Sequence, residues 1–251
     1  GKLWLAGFKG IDVYDPNTRR AKTIPLPQPL TPNINHKVLD LHFSDDGKLW
    51  IGTNYEGLYC MDSPTSPMRH INLEVDGKVV GPRLGINDVS EDAQGRILIS
   101  HYNGFFRYDP TTGKTQNLLK LEDKQRHVRD FLLDKQNRLW VATNEGVLQL
   151  DNNDRVRRVI NWKDGLENQS VTGLEMDAEG RLWMGTSNGL YRYDPRNSQM
   201  NRYSIKDGLF GNSIEGAFHS LNDGQLFVGF AYSFNLTQPN ALPISLTPPK
   251  V

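Results

Sequence analysis

One cysteine in 251 residues, Cys60, excludes an internal disulfide and a thiolate metal site. The charge is equally uninformative: 29 basic residues balance 29 acidic ones, so nothing points to nucleic acid or an anionic membrane surface as a partner. No apolar run approaches the roughly 18 residues of a spanning helix, so any membrane contact would come through parts of the protein outside this chain. The six histidines form no H-E-x-x-H pair, and no Gly-rich phosphate loop leads from a strand into a helix. The Asp-rich turns DDG, DAQG and DAEG lack the alternating oxygens and distal Glu of a calcium loop. No metal and no cofactor is therefore expected. There is no signal peptide, and the chain opens on GKLWLAG, in mid-repeat, which predicts that Gly1 is not the natural start.

What the sequence does contain is a repeat. Second-strand motifs stand at 1 (GKLWLAG), 47 (GKLWIGT), 95 (GRILISH), 137 (NRLWVAT), 180 (GRLWMGT) and 224 (GQLFVGF), at intervals of 46, 48, 42, 43 and 44 residues. Each is followed by a second phrase, such as GFFRYDP or GLYRYDP, and each internal one is preceded by an alternating run such as VLDLHFSDD or VTGLEMDAE. The alternating run reads as a strand, D-x-x-G as a tight turn and L-W-I-G-T as a second, buried strand. A short Asn/Gly turn leads to a third strand, closed by Asp-Pro because proline donates nothing to a ladder. A more polar run, RVRRVI or MNRYSI, supplies an outer fourth strand. Four short antiparallel strands per unit without helical periodicity predict an all-β chain of about six β-propeller blades over 1–237. A β-sandwich is the alternative, but its strands would not repeat one phrase six times.

The first unit lacks a leading strand and the last an obvious fourth, a count that predicts five whole blades with a partial blade at each margin. Either the partial units close a six-bladed ring, removing exposed edges, or the chain is part of a larger array, the reading favoured here. Within the repeat, GTSNG at 185–189 fits the G-x-S-x-G elbow of serine hydrolases. Its sibling turns keep the glycine without the serine, and an elbow joins a strand to a helix rather than to a strand. Ser187 is expected to be a turn residue, with no catalytic residue in the chain. The recurring Trp4, Trp50, Trp140 and Trp183 are assigned to blade packing, as is Trp162, which stands outside that register.

The phrase [DE]-x-x-G-x-L-W-[IVM]-G-T-x-x-G-L-x-x-Y-D resembles the two-component regulator propeller repeat. So do the joints DGLENQSV at 164–171 and DGLFGNSI at 207–214, and the tail FNLTQPNALPISLTPPKV. Leu98 and Phe227 stand where Trp is usual, and the joints before 36 and 85 have lost the DGLxxN phrase. The resemblance implies a sensor propeller of a hybrid histidine kinase or diguanylate cyclase, periplasmic, non-enzymatic and signalling through homodimerisation. It also implies that 238–251 is an exit segment toward a following β-sandwich, and that the ligand is an oligosaccharide or another small molecule. The ligand itself does not transfer with a fold.

In a propeller, second-to-third-strand turns and inter-blade joints share one face, where binding groups sit on a rigid scaffold. Tyr55, Arg83, His101, Tyr102 and Arg126 are the candidate ligand-binding residues, since turn geometry alone does not call for them. Aromatic faces can stack on the apolar surface of a sugar, while guanidinium and amide groups bond hydroxyls or carboxylates. A propeller lyase or hydrolase and a protein-interaction scaffold are the competing functions.

Overall fold

The computed structural model describes residues 1–27, 36–80, 85–101, 104–119, 127–214, 218–221 and 223–242. Two compact units, Gly1–Leu121 and Glu122–Val251, carry three blades each. In the first unit, blade 1 is β1 (Leu3–Ala6), β2 (Gly10–Asp15) and β3 (Arg20–Pro25). Blade 2 is β4 (Val38–Phe43), β5 (Leu49–Thr53), β6 (Leu58–Met61) and β7 (Arg69–Ile71), followed by a small hairpin of β8 (Glu74–Val75) and β9 (Lys78–Val79). Blade 3 is β10 (Ile86–Glu91), β11 (Ile97–His101), β12 (Gly104–Asp109) and β13 (Lys114–Asn117).

In the second unit, blade 4 is β14 (Val128–Leu133), β15 (Leu139–Thr143), β16 (Gly146–Leu150) and β17 (Val156–Ile160). Blade 5 is β18 (Val171–Met176), β19 (Leu182–Thr186), β20 (Gly189–Asp194) and β21 (Gln199–Tyr203). Blade 6 is β22 (Phe218–Ser220), β23 (Leu226–Gly229) and β24 (Phe234–Thr237). All pairings are antiparallel meanders, so the fold is an all-β, six-bladed propeller type with almost no helix.

The margins differ from the sequence count. Among the described residues four blades are complete and two have three strands, against the five complete ones of the sequence count. Among the described residues, the chain after β24 adds no strand along the outer edge of blade 6. It turns toward blade 5, where Arg192 donates from Nη1 to the Pro239 carbonyl at 3.1 Å and Asn240 donates to Glu179 at 3.3 Å. The tail beyond Leu242 lies outside the described residues.

Alternation on the strands gives blades 2 to 5 two largely buried faces each. The Trp-bearing face of blade 4 (Trp140, Ala142, Val147) packs on Leu182, Met184, Tyr191 and Tyr193 of blade 5. The same face of blade 5 (Trp183, Leu190, Tyr203) packs on Leu226 and Val228 of blade 6. In the first unit Trp50, Leu58 and Cys60 meet Ile97, Ile99 and Phe106 of blade 3. A register shift in the leading strands of blades 2 to 5, at Val38/Asp40, Ile86/Asp88, Val128/Asp130 and Val171/Gly173, is a β-bulge that re-aims the side chains around it. Two of those side chains latch neighbouring blades. Asp40 accepts from the Val89 N–H at 2.8 Å, and Asp130 from that of Leu174 at 2.6 Å.

The DGL joints are built alike. Asn161 and Ser204 each cap a single 3-10 turn (Trp162–Asp164 and Ile205–Asp207) in a reciprocal box with Asp164 and Asp207. Gly165 and Gly208 end these turns in the left-handed conformation at φ 95°. Trp162 corrects the packing expectation: it stands 58% exposed, because the cap is satisfied entirely by Asn161 and Asp164 and leaves its ring pointing outward beside Lys163.

Candidate functional site

The second-to-third-strand turns share one lock. Thr143 and Thr186 donate from Oγ1 to the carbonyls of Gly146 and Gly189, both at 2.9 Å, and accept from Glu145 and Asn188. Gly146 (φ 115°) can be nothing else, because a Cβ there would lie 2.1 Å from the Ile160 carbonyl oxygen. Joint and turn meet on one side of a blade: Ile214 N–H donates to Thr186 O at 3.0 Å and Gly189 N–H to Asn212 O at 2.7 Å. Ser187 lies in this turn, exposed, and its Oγ accepts from the Asn168 amide at 2.7 Å. An amide is no general base, so Ser187 is a turn residue as expected.

Blade 2 keeps the lock and adds a residue. Thr53 Oγ1 donates to Gly57 O at 2.9 Å across Asn54, Tyr55 and Glu56. Asn54 ties the turn to the joint, accepting from Lys37 N–H at 2.8 Å through its side chain. The extra residue sends Glu56 inward, where it is 3% exposed, and leaves Tyr55 outward at 40%. Tyr59 Oη donates to Glu56 Oε2 at 2.9 Å, and His36 Nδ1 stands 3.4 Å from Oε1. His70 joins through its Nε2, 2.8 Å from the Glu56 carbonyl oxygen, with Asn72 at 3.1 Å on Nδ1 and its ring edge-on to Tyr59. Burial, and then the bond to Glu56, push the Tyr59 phenol far above its ordinary range, so it stays a neutral donor. Beside this cluster a cavity of about 260 Å³ opens beneath the β8–β9 hairpin, walled by Leu58, His70, Asn72, Leu73, Val79 and Val80.

Of the five candidate residues, Tyr55 is where a ligand could reach it. His101 is a correction: it ends β11 rather than projecting from a turn, is buried, and lies edge-on to Phe106. Its register partner Gly104 closes the hairpin directly, so the strand continues through it. Arg83, Tyr102 and Arg126 lie outside the described residues. Reading the turns singly missed Tyr59 and His70, on the third and outer strands, and Asn72 just after the outer strand; the signal was the extra residue in TNYEG at 53–57 against TNEG at 143–146. Blade 5 carries a second polar rim, in which Arg202 bonds Asn188 Oδ1 at 2.7 Å and Glu167 at 3.1 Å. Among the described residues no group of three or more His, Cys, Asp or Glu side chains is placed to hold a metal ion. No helix among them is long and apolar enough to cross a membrane.

Comparison with known proteins adds the following. Against curated protein sequences the chain finds no match. Among solved structures it is similar to an extracellular domain assigned to a hybrid two-component system of B. thetaiotaomicron, at 20% identity and a TM-score of 0.79, covering 96% of this chain and 32% of that one. It is also similar to virginiamycin B lyase from Staphylococcus aureus, at 14% identity and a TM-score of 0.71, covering 98% and 82%. A second B. thetaiotaomicron extracellular domain, assigned to a one-component system, matches at 19% identity and a TM-score of 0.55, covering 94% and 38%. The chain thus spans about a third of the length of these two extracellular domains. The family model for the two-component regulator propeller matches residues 123–145 and 165–188, on the leading and second strands of blades 4 and 5. Two of the repeats, those of blades 4 and 5, thus match the two-component regulator propeller repeat.

Proposed function

We propose that this propeller is the extracytoplasmic ligand-sensing part of a bacterial signalling protein, and that it binds a carbohydrate or another small polar ligand without transforming it. The observation that carries the reading is the blade 2 turn, whose extra residue places an exposed Tyr55 over a buried Glu56–Tyr59–His36 cluster. A hydrogen-bonded carboxylate that is itself inaccessible is suited to holding a binding surface rigid, and the tyrosine ring offers the stacking face. Arg83, Tyr102 and Arg126 remain proposed contacts, and a homodimer the proposed signalling unit. The repeat family and the resemblance to two-component extracellular domains support the sensory role.

A thermal-shift screen against oligosaccharides, uronic acids, amino acids and small organic acids tests the proposal. A ligand that binds only the native state raises the melting temperature by mass action. Tyr55→Ala should lose the shift while melting like the wild type, and no product should form on prolonged incubation. Turnover of the ligand would favour a lyase-type propeller instead.

A further inference from the structure

At the end of the blades opposite the Tyr55 turn, the turns between first and second strands let one blade pair be laid on another. Glu91 pairs with Ile97 and Met176 with Leu182, so the two hold the same place, the last of the first strand, in blades 3 and 5. By the same register His42 of blade 2 corresponds to Leu132 of blade 4, and the turn residue Asp45 to Lys135. Across blades 2 and 3, Glu91 reaches back to the preceding turn. Its Oε2 accepts from the Asp45 N–H at 2.7 Å and lies 4.0 Å from His42 Nε2. A carboxylate is held there even though the turn itself carries Asp45 and Asp46.

Blades 4 and 5 have all three partners exchanged: Met176 for Glu91, Lys135 for Asp45 and Leu132 for His42. Among these three counterparts a cavity of about 340 Å³ opens, within the size range of small-molecule sites. Among the described residues neither the Lys135 N–H nor its Nζ has a hydrogen-bond or ion-pair partner. The acids of the wall are already engaged. Glu175 accepts from the Met176 and Ser220 N–H groups, both at 3.0 Å, and Glu179 from Arg181 at 3.0 Å and Asn240 at 3.3 Å. Asp134 and Asp177 are held by Arg138 and Arg181.

We propose that this cavity binds the carboxylate of a small organic acid, at a site separate from the Tyr55 turn and independent of the reading given for it. The ligand's carboxylate takes the part that Glu91 plays between blades 2 and 3, accepting from the Lys135 N–H. The Lys135 ammonium supplies a countercharge where blade 2 has the like charge of Asp45, and charge-assisted bonds of this kind are the strong ones. The apolar body of the acid lies on Leu132 and Met176, both partly buried.

Titration of the isotope-labelled 251-residue chain with benzoate, followed through its amide resonances, tests this. The Lys135 amide should shift saturably, and benzamide, neutral and of the same shape, should leave it in place. Lys135→Asp recreates the blade 2 turn and should weaken benzoate about tenfold, the worth of one hydrogen bond to a charged group. Met176→Glu supplies the blade 3 carboxylate from within, so the Lys135 amide should shift without benzoate and respond to it no further. Lys135 is exposed, which keeps its variant informative in case Met176→Glu misfolds. No saturable shift at Lys135, equal binding of benzamide, undiminished binding by Lys135→Asp, or a folded Met176→Glu chain that still takes benzoate would overturn the proposal.

Discussion

Blades 2 and 5 are written in the same repeat, yet they differ at both ends of the sheet. In blade 5 the turn between first and second strands is organised by Asp177. Its Oδ1 accepts from the N–H groups of Glu179 and Arg181, and its Oδ2 from Arg181 Nε at 2.7 Å and the Trp183 indole at 2.8 Å. Blade 4 repeats this with Asp134, Arg138 and Trp140. In blade 2 the carboxylate is replaced by Ser44, which bonds Asp46 and the Lys48 carbonyl instead, and the buried Trp50 indole N–H has no partner among the described residues. At the opposite end blade 5 has the short turn and blade 2 the long one with Glu56. Sequences that break a local rule at one place do so most often where function or strain resides. The lower-corner loss is a packing weakness, whereas the upper insertion assembles a polar cluster.

Four measurements sharpen the contrast. Asp177→Ala should cost the most, about 3 kcal/mol, because it strands a half-buried guanidinium, a buried indole N–H and two backbone N–H groups together. Urea denaturation would read it, and a loss near zero would mean that the corner is solvated. Trp183→Phe should cost about 2 kcal/mol more than Trp50→Phe, since only the former breaks a hydrogen bond to a charged acceptor. Equal costs would show that the Trp50 indole is bonded in solution. Ser44→Asp combined with Lys48→Arg should rebuild the corner in blade 2 and gain about 1 kcal/mol.

The smallest effect is in pH. Burial alone would raise the Asp134 carboxyl, but the bonds from Trp140 and Arg138 outweigh it and hold it below its ordinary 3.8. The unfolded chain therefore binds the proton first on acidification. The contribution is complete above about pH 4 and is lost as pH falls through the lowered value. Asp134→Asn should flatten the acid limb of the stability profile, and an unchanged limb would contradict the assignment.

The blades were legible because period and alternation survive in every unit: Leu182–Thr186 and its siblings are the second strands that the LWIGT phrase predicts. Trp packing was legible for the same reason, and so was the turn role of Ser187. The Asp–Arg–Trp corner was not, although its residues sit at fixed spacing, because i, i+4 and i+6 on a turn and strand match no simple period. Trp162 was misread since a lone aromatic gives no sign of which way a capped turn points. His101 was misread because SHYNG looks like a turn, yet the strand runs on to a hairpin closing at Gly104. The cluster around Glu56 was only half visible, since strand pairing brings Tyr59 and His70 to it, and the joint before β4 brings His36, rather than sequence neighbourhood.

The account rests on blade 2 being the binding blade. Hydrogen exchange of the native chain, with and without the ligand that gives the largest thermal shift, tests this directly. Slower exchange confined to 36–38 and 53–59 is the predicted result. Protection of the Thr186–Gly189 turn of blade 5 in their place, or of neither, would contradict it.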